Sequence, residues 1–327
     1  MLPNGVTRVG YRPISKGRDE VRAFMVVRNE ALRLPSTLQH HRSLGVQRFF
    51  VLDNGSTDGT LDFVANEPDT YVFKTGGSYA DSHYGLTWLN ALLDEFGNGH
   101  WSLVVDADEQ IIYPHYETLS LPLLCRYLDI VGAQALACLL LDLYPDRPVA
   151  EAVHNPTTPL LDTCRYFDAG PYRAQRIPQC PYFEIHGGVR ERIFNTIFAD
   201  FHPPTLSKVP LVRWRKGMRF ISSTHTLTPV KMSGMIACLL HFKFLSDFHQ
   251  RVQTEVTRNE HFAGAREYRA YQELLQRTGT ISFHNENSVR FASSAQLVAL
   301  GLMRSEPAFE KSVQLTQATP QSAARTG

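Results

Sequence analysis

Three apolar runs, each of strand length and each ending in a polar cluster, constrain this chain more than any other feature. VRAFMVV (21–27) runs into Arg28-Asn29-Glu30, QRFFVLD (47–53) runs into the turn NGSTDG, and WSLVVDADE (101–109) ends in acid. Their β-branched and aromatic content predicts strands. Between them, EALRLPSTLQHHRSLGV (30–46) predicts a helix stopped by Gly45. TLDFVANE (60–67) predicts a short helix and YVFK (71–74) a short strand. Residues 82–96 predict a helix, with Leu86, Leu89, Leu92, Leu93 and Phe96 on one broad face. Strands alternating with helices need right-handed crossovers, so the expected fold class is α/β, with a mainly parallel sheet covered on both faces. Such sheets bind ligands at the carboxyl ends of their strands. The three polar clusters therefore belong on one edge.

Each cluster has a chemistry. Asp106 and Asp108, two residues apart where a buried strand breaks into a turn, present hard oxygen anions to one site and suit Mn²⁺ or Mg²⁺. Such an ion holds a diphosphate and stabilises its charge as it leaves. DxD alone is common in solvated loops; its place after WSLVV singles it out. Asp53, at the end of its strand, is suited to accept from a nucleobase or ribose, although NGSTDGT also reads as a capped helix start. The run lacks GK[ST] and is not a phosphate-binding P-loop. Arg28 is placed to meet phosphate and Glu30 to meet base or ribose; a plain helix N-terminus that favours Glu is the competing reading.

Beyond residue 145 prolines become frequent, which predicts loops and short β segments. VRERIF (189–194) and MRFISSTHTL (218–227) are expected strands. The long run 232–259 and AREYRAYQELLQR (265–277) are expected helices, and the Ser-, Thr-, Gln- and Ala-rich tail from about 305 is expected to be poorly ordered. The 33 basic and 32 acidic residues of this 327-residue chain leave a net charge of +1, which provides no global field for nucleic acid or an anionic membrane. Cys125, Cys138, Cys164, Cys180 and Cys238 are odd in number and form no CxxC pair, so buried free thiols are expected rather than zinc or disulfides. The N-terminus lacks a signal-peptide core and no run reaches membrane-span length; Ala133–Leu141 is better read as a buried strand. A cytoplasmic location is the resulting expectation.

The ordered set FMVVRNE, HHRSLGVQRFFVLDNGSTDGT and WSLVVDADE resembles family 2-type glycosyltransferases, and more closely a bacterial subgroup related to the DUF23/GT92 group. GGVRERIF (187–194), LSKVPLVRW (206–214), His225 and LLHFKF (239–244) extend the resemblance over residues 20–250. The resemblance implies a GT-A (Rossmann-like) fold, a nucleotide-diphosphate sugar donor with UDP-sugar as the default, and an inverting transfer. It places Asp53 on the base, Asp106 on ribose or metal, Asp108 on a divalent cation, and Arg28 and Glu30 in the nucleotide pocket. The implied domains are a lead-in (1–20), a GT-A domain (21–245, its nucleotide-binding half 21–110 and acceptor-side half 111–245) and a helical C-terminal extension (246–327).

An inverting transfer needs a general base. Glu184, before the Gly187-Gly188 pair, is the first candidate, with Glu191 and Asp142 as rivals. His241, and behind it His225, are candidates to complete the metal site. Lys208, Arg190, Arg192 and Lys243 are candidates to neutralise the leaving diphosphate. The Gly187-Gly188 pair reads equally as a close approach of backbone to sugar or as a turn. The expected acceptor is a saccharide or glycolipid, which allows peripheral contact at the inner face of a membrane; nucleic acid is not an expected partner, and the oligomeric state is open. A nucleotidyltransferase is disfavoured because RNEALRLP, after the first strand, has no glycine. An inactive nucleotide-sugar-binding homologue is the non-enzymatic alternative.

Overall fold

The computed structural model describes residues 2–14, 17, 19–176, 183–195, 198 and 204–318. Strands β1 (Thr7–Val9), β2 (Val21–Val27), β3 (Arg48–Asp53), β4 (Thr70–Lys74), β5 (Trp101–Val104), β6 (Glu109–Ile112) and β7 (Ala135–Asp142) come first. The short β8 (Tyr166–Asp168), β9 (Tyr172–Arg176) and β10 (Phe183–Gly187) precede β11 (Ser207–Arg213), β12 (Met232–His241) and β13 (Ser288–Arg290). Nine of them form one sheet in the order β1-β4-β3-β2-β5-β11-β7-β12-β6. The segment β4-β3-β2-β5 is parallel throughout, as the alternating sequence predicts. Beyond β5 the sheet is mixed: β11 runs antiparallel to β5 and β7, β12 parallel to β7, and β6 antiparallel to β12.

The helices are α1 (Leu34–Ser43), α2 (Thr60–Asn66), α3 (Leu86–Leu92), α4 (Leu121–Ile130), α5 (Gly188–Phe194), α6 (Phe248–Arg258), α7 (Phe262–Thr278), α8 (Ser294–Ala299) and α9 (Pro307–Ala318). Residues of β2 divide between the two faces of the sheet. Ala23, Met25 and Val27 pack in one core with Leu34 and Leu38 of α1 and Leu124 and Leu128 of α4. Phe24 packs on the other side with Leu86, Leu89 and Leu92 of α3. Both faces are covered, which is why β2 and β3 read as continuous apolar runs. A third core joins α5, α6 and α7 through Phe194, Phe248, Val252 and Tyr271.

Several expectations are corrected. The run 232–259 is not one helix: β12 occupies its first ten residues and α6 follows. β12 is flanked by β7 and β6, and a short apolar run does not reveal by periodicity alone whether it is strand or helix. VRERIF is helix α5, which starts after a break at Gly187 and buries Val189 and Phe194 while Arg190, Glu191 and Arg192 favour helix. MRFISSTHTL holds only isolated bridges such as Phe220 to Leu227. The strand at 101–109 is cut by a turn between Val104 and Glu109. The polar lead-in contributes β1, which pairs with β4 at the sheet edge. Residues 307–318 form α9, with Phe309 and Val313 in the first core; residues 319–327 lie outside the described residues. Cys125, Cys138, Cys164 and Cys238 are buried free thiols, and Cys180 falls outside the described residues. Among the described residues no helix is long and apolar enough to cross a membrane.

Candidate functional site

The turn after β5 is self-closing. The Asp106 backbone N–H donates to Glu109 Oε2 (3.0 Å), and Thr37 Oγ1 donates to the Ala107 carbonyl (2.7 Å). These bonds set Asp106 and Asp108 at the carboxyl end of the parallel strands. The ends of β7 and β12 lie beside them, because the two strands pair in parallel with His241 opposite Asp142, and His241 is also opposite Glu109 of β6. Loops and helices close a cavity of about 290 Å³ over this edge.

Arg28, Glu30, Asp106, Asp108, Lys208, His241, Arg190, Lys243 and His225 all line that cavity, so nine of the sequence-predicted residues converge. Asp53 is buried just behind the wall. Its Oδ1 accepts from the N–H groups of Gly55 and Ser56, both at 3.0 Å, and its Oδ2 is buried without a hydrogen-bond partner. Asp142 lies behind His241. Glu184 is not brought to the cavity: it sits on β10, 43% exposed, 3.8 Å from His186. Glu191 is also elsewhere, held by both nitrogens of the Arg173 fork (2.8 and 2.6 Å), and Arg192 is held by Asp168. An ideal Cβ on Gly187 would lie 2.2 Å from the Pro171 carbonyl oxygen, so it is the chain's own backbone that approaches Gly187.

The sequence reading missed Tyr79 and the contribution of α6 and α7: Arg251, Glu255, Arg258, Glu267 and Tyr268 line the same cavity. Charges on an amphipathic helix ordinarily read as a solvated face, so no local signal marked them. Arg33 anchors the segment that leads into α6. Its guanidinium is fully buried, paired with Asp247 at 2.7 and 2.6 Å, and donates to the carbonyls of Phe242 and Lys243.

The cavity wall carries six carboxylates, and each has a partner. Lys208 Nζ donates to Asp106 Oδ2 (2.7 Å) and to Glu109. Glu30 pairs with Arg251 (2.9 Å). Glu255 lies 2.9 Å from His261 and 3.6 Å from Arg258. Glu267 pairs with Lys243 (2.7 Å) and Arg190 (3.5 Å). Asp108 lies 3.3 Å from His241 Nε2. Burial opposes the charge on Lys208, yet Asp106 and Glu109 outweigh it and raise its pKa. Burial would likewise lower His241, but Asp108 and Asp142 raise it to about 9. Arg28 differs from the other cations: among the described residues it pairs with no carboxylate and donates only to the Asn54 carbonyl.

Asp142 is clamped by Arg190 at 2.8 Å to each oxygen, and its Oδ1 lies 2.6 Å from His241 Nδ1. A carboxylate behind one ring nitrogen leaves the other facing outward, the arrangement in which imidazole serves a metal. Among the described residues no group of three or more His, Cys, Asp or Glu is gathered to hold a metal ion. A two-donor set fits a cation that takes its remaining ligands from phosphate and water.

No family model matches the sequence, and no curated protein matches it. Similar solved structures include S. aureus TarS 1–349 (16% identity, 44% of this chain and 48% of that chain, TM-score 0.30). A second is S. aureus TarS (14% identity, 79% and 43%, TM-score 0.33). A third is UDP-glucose pyrophosphorylase from Acinetobacter baumanii (9% identity, 92% and 100%, TM-score 0.29). The chain spans about half the length of the TarS structures it matches, 48% and 43%. Likeness at this level says nothing further about activity.

Proposed function

We propose that this chain is an inverting glycosyltransferase that moves a sugar from a nucleotide-diphosphate sugar to an acceptor hydroxyl, assisted by Mn²⁺ or Mg²⁺. The observation that carries this reading is the Asp108–His241 pair, backed by Asp142, in a densely charged cavity at the carboxyl end of the parallel strands. Asp108 and His241 Nε2 would hold the cation, which when bound supplies positive charge to the leaving diphosphate. Arg28, with no carboxylate of its own, would bind phosphate. Asp53 Oδ2, a buried acceptor without a donor behind the wall, would meet a nucleobase N–H only if the turn after β3 opens on binding. Lys208 holds Asp106 against Glu109, which keeps the acidic turn in one shape. The ordered motifs support the closer kinship with the DUF23/GT92-related subgroup, and with it a saccharide or glycolipid acceptor at the cytoplasmic side of a membrane.

The test is melting temperature against a panel of nucleoside diphosphates with and without Mn²⁺, since a ligand of the folded state raises it by mass action. The expected result is a rise with one nucleotide that requires Mn²⁺ and disappears in Asp108→Ala. No shift with any nucleotide would sink the reading. Stabilisation without turnover of any nucleotide sugar would favour an inactive binding protein.

A further inference from the structure

All six carboxylates on the cavity wall are engaged by cations or histidine, and neither Glu184 nor Glu191 reaches it. An acceptor hydroxyl must still give up its proton. Of the three histidines on the wall, His241 and His261 pair with carboxylates, whereas among the described residues no carboxylate pairs with His225. His225 Nδ1 lies 2.6 Å from the Ser207 carbonyl oxygen. A carbonyl only accepts, so Nδ1 carries the hydrogen and Nε2 is the bare nitrogen of a neutral ring. Nε2 has no hydrogen-bond partner among the described residues, yet it is not among the polar atoms sealed from solvent. His225 is one of the residues that line the cavity, so its ring reaches that wall. Ser207, which fixes the ring, directly precedes Lys208 on β11, the residue that holds Asp106.

We propose, on the basis of the glycosyltransferase reading, that His225 is the general base of the transfer. Its Nε2 takes the proton of the acceptor hydroxyl as the oxygen's electron pair forms the bond to the anomeric carbon. The bond from that carbon to the diphosphate breaks with its pair on the leaving oxygen, and the imidazolium later returns its proton to solvent. The surroundings suit an order of events. Burial first, then the positive charges of Lys208 and Arg190, hold the free ring's pKa down to about 3 against the opposing carboxylate of Asp106. An entering diphosphate brings negative charge to the same wall and offsets those cations, so the ring gains basicity once the donor is seated.

The experiment compares wild type with His225→Asn, whose side-chain amide stands where Nδ1 stood and keeps a donor for the Ser207 carbonyl but has no basic ring nitrogen. Nucleoside diphosphate release is followed from a panel of nucleotide sugars with Mn²⁺, with water or added mono- and disaccharides as acceptors. The expected loss in kcat is about 10²-fold or more. KM and the Mn²⁺-dependent nucleotide melting shift should stay within about twofold, and the acid limb of the kcat–pH profile should disappear. A variant within about threefold of wild type, with the same pH profile, overturns the assignment and leaves the transferase reading standing. Loss of the melting shift together with activity also overturns it, because the residue then builds the site. A wild type that releases nothing overturns both readings together. Nitrogen NMR of the imidazoles is a second check: a hydrogen on Nε2 of His225 at neutral pH overturns the proposal.

Discussion

Asp142 Oδ1 lies 2.6 Å from His241 Nδ1, and the same carboxylate is gripped at both oxygens by Arg190. Register puts the two residues side by side at the ends of parallel strands. Asp142 therefore positions the imidazole rather than meeting a ligand. Asp142→Asn is expected to weaken Mn²⁺ binding in the presence of nucleoside diphosphate by about 10- to 100-fold. Titration calorimetry or manganese EPR reads the change directly, and an unaltered affinity would remove Asp142 from this role.

Glu267 carries a pH signature. Burial opposes its charge, but Lys243 and Arg190 lower its pKa from 4.5 to about 2. A depressed carboxylate stabilises the fold above its unfolded value and loses that contribution as pH falls from about 4.5 towards about 2. Glu267→Gln should cost roughly 3 kcal/mol at neutral pH. Urea unfolding of both proteins should show the gap closing as pH drops below about 4.5; a gap constant with pH would refute this account.

Arg33 has no exposure and no water to fall back on. Removing a buried charge's partner leaves the other uncompensated, so Arg33→Met is expected to cost about 3–5 kcal/mol. Arg33→Lys should recover little, because an ammonium cannot reproduce a fork that meets Asp247 and two carbonyls. Equal stability of wild type and the lysine variant in chemical denaturation would contradict this.

The parts of the fold legible in the sequence were those with local patterning. β2, β3 and β5 declared themselves as apolar runs that end in charge, and the sheet rule then put Arg28, Glu30, Asp106 and Asp108 on one edge, where the cavity lies. The sequence of β12 reads as helix because a strand buried on both faces lacks alternation. Arg251, Glu267 and Tyr268 were invisible because their role comes from how α6 and α7 dock, and no short motif encodes docking. Glu184 and Glu191 look apt by position in the chain, yet partners in space decide what a carboxylate is for: Arg173 meets both oxygens of Glu191.

Gly187 has φ of 135° and no room for a Cβ beside Pro171. Gly187→Ala should cost about 1–3 kcal/mol of stability through backbone strain alone. Thermal unfolding measures it, and an unchanged melting temperature would show that the segment yields.

The Arg33 clamp has a consequence for how the protein comes into being. Translation delivers both acidic residues of the β5 turn early, but the partners of Arg33 and Glu30, and the far wall of the cavity, are supplied from residue 242 onward. A nascent chain that has already folded its parallel strands holds a half-built cleft in which Arg33 and Glu30 lack Asp247 and Arg251 and have only each other, at 3.9 Å. Competence therefore arrives late and at once, when α6 and α7 leave the ribosome and dock, so a stalled or truncated product lacks the finished cavity.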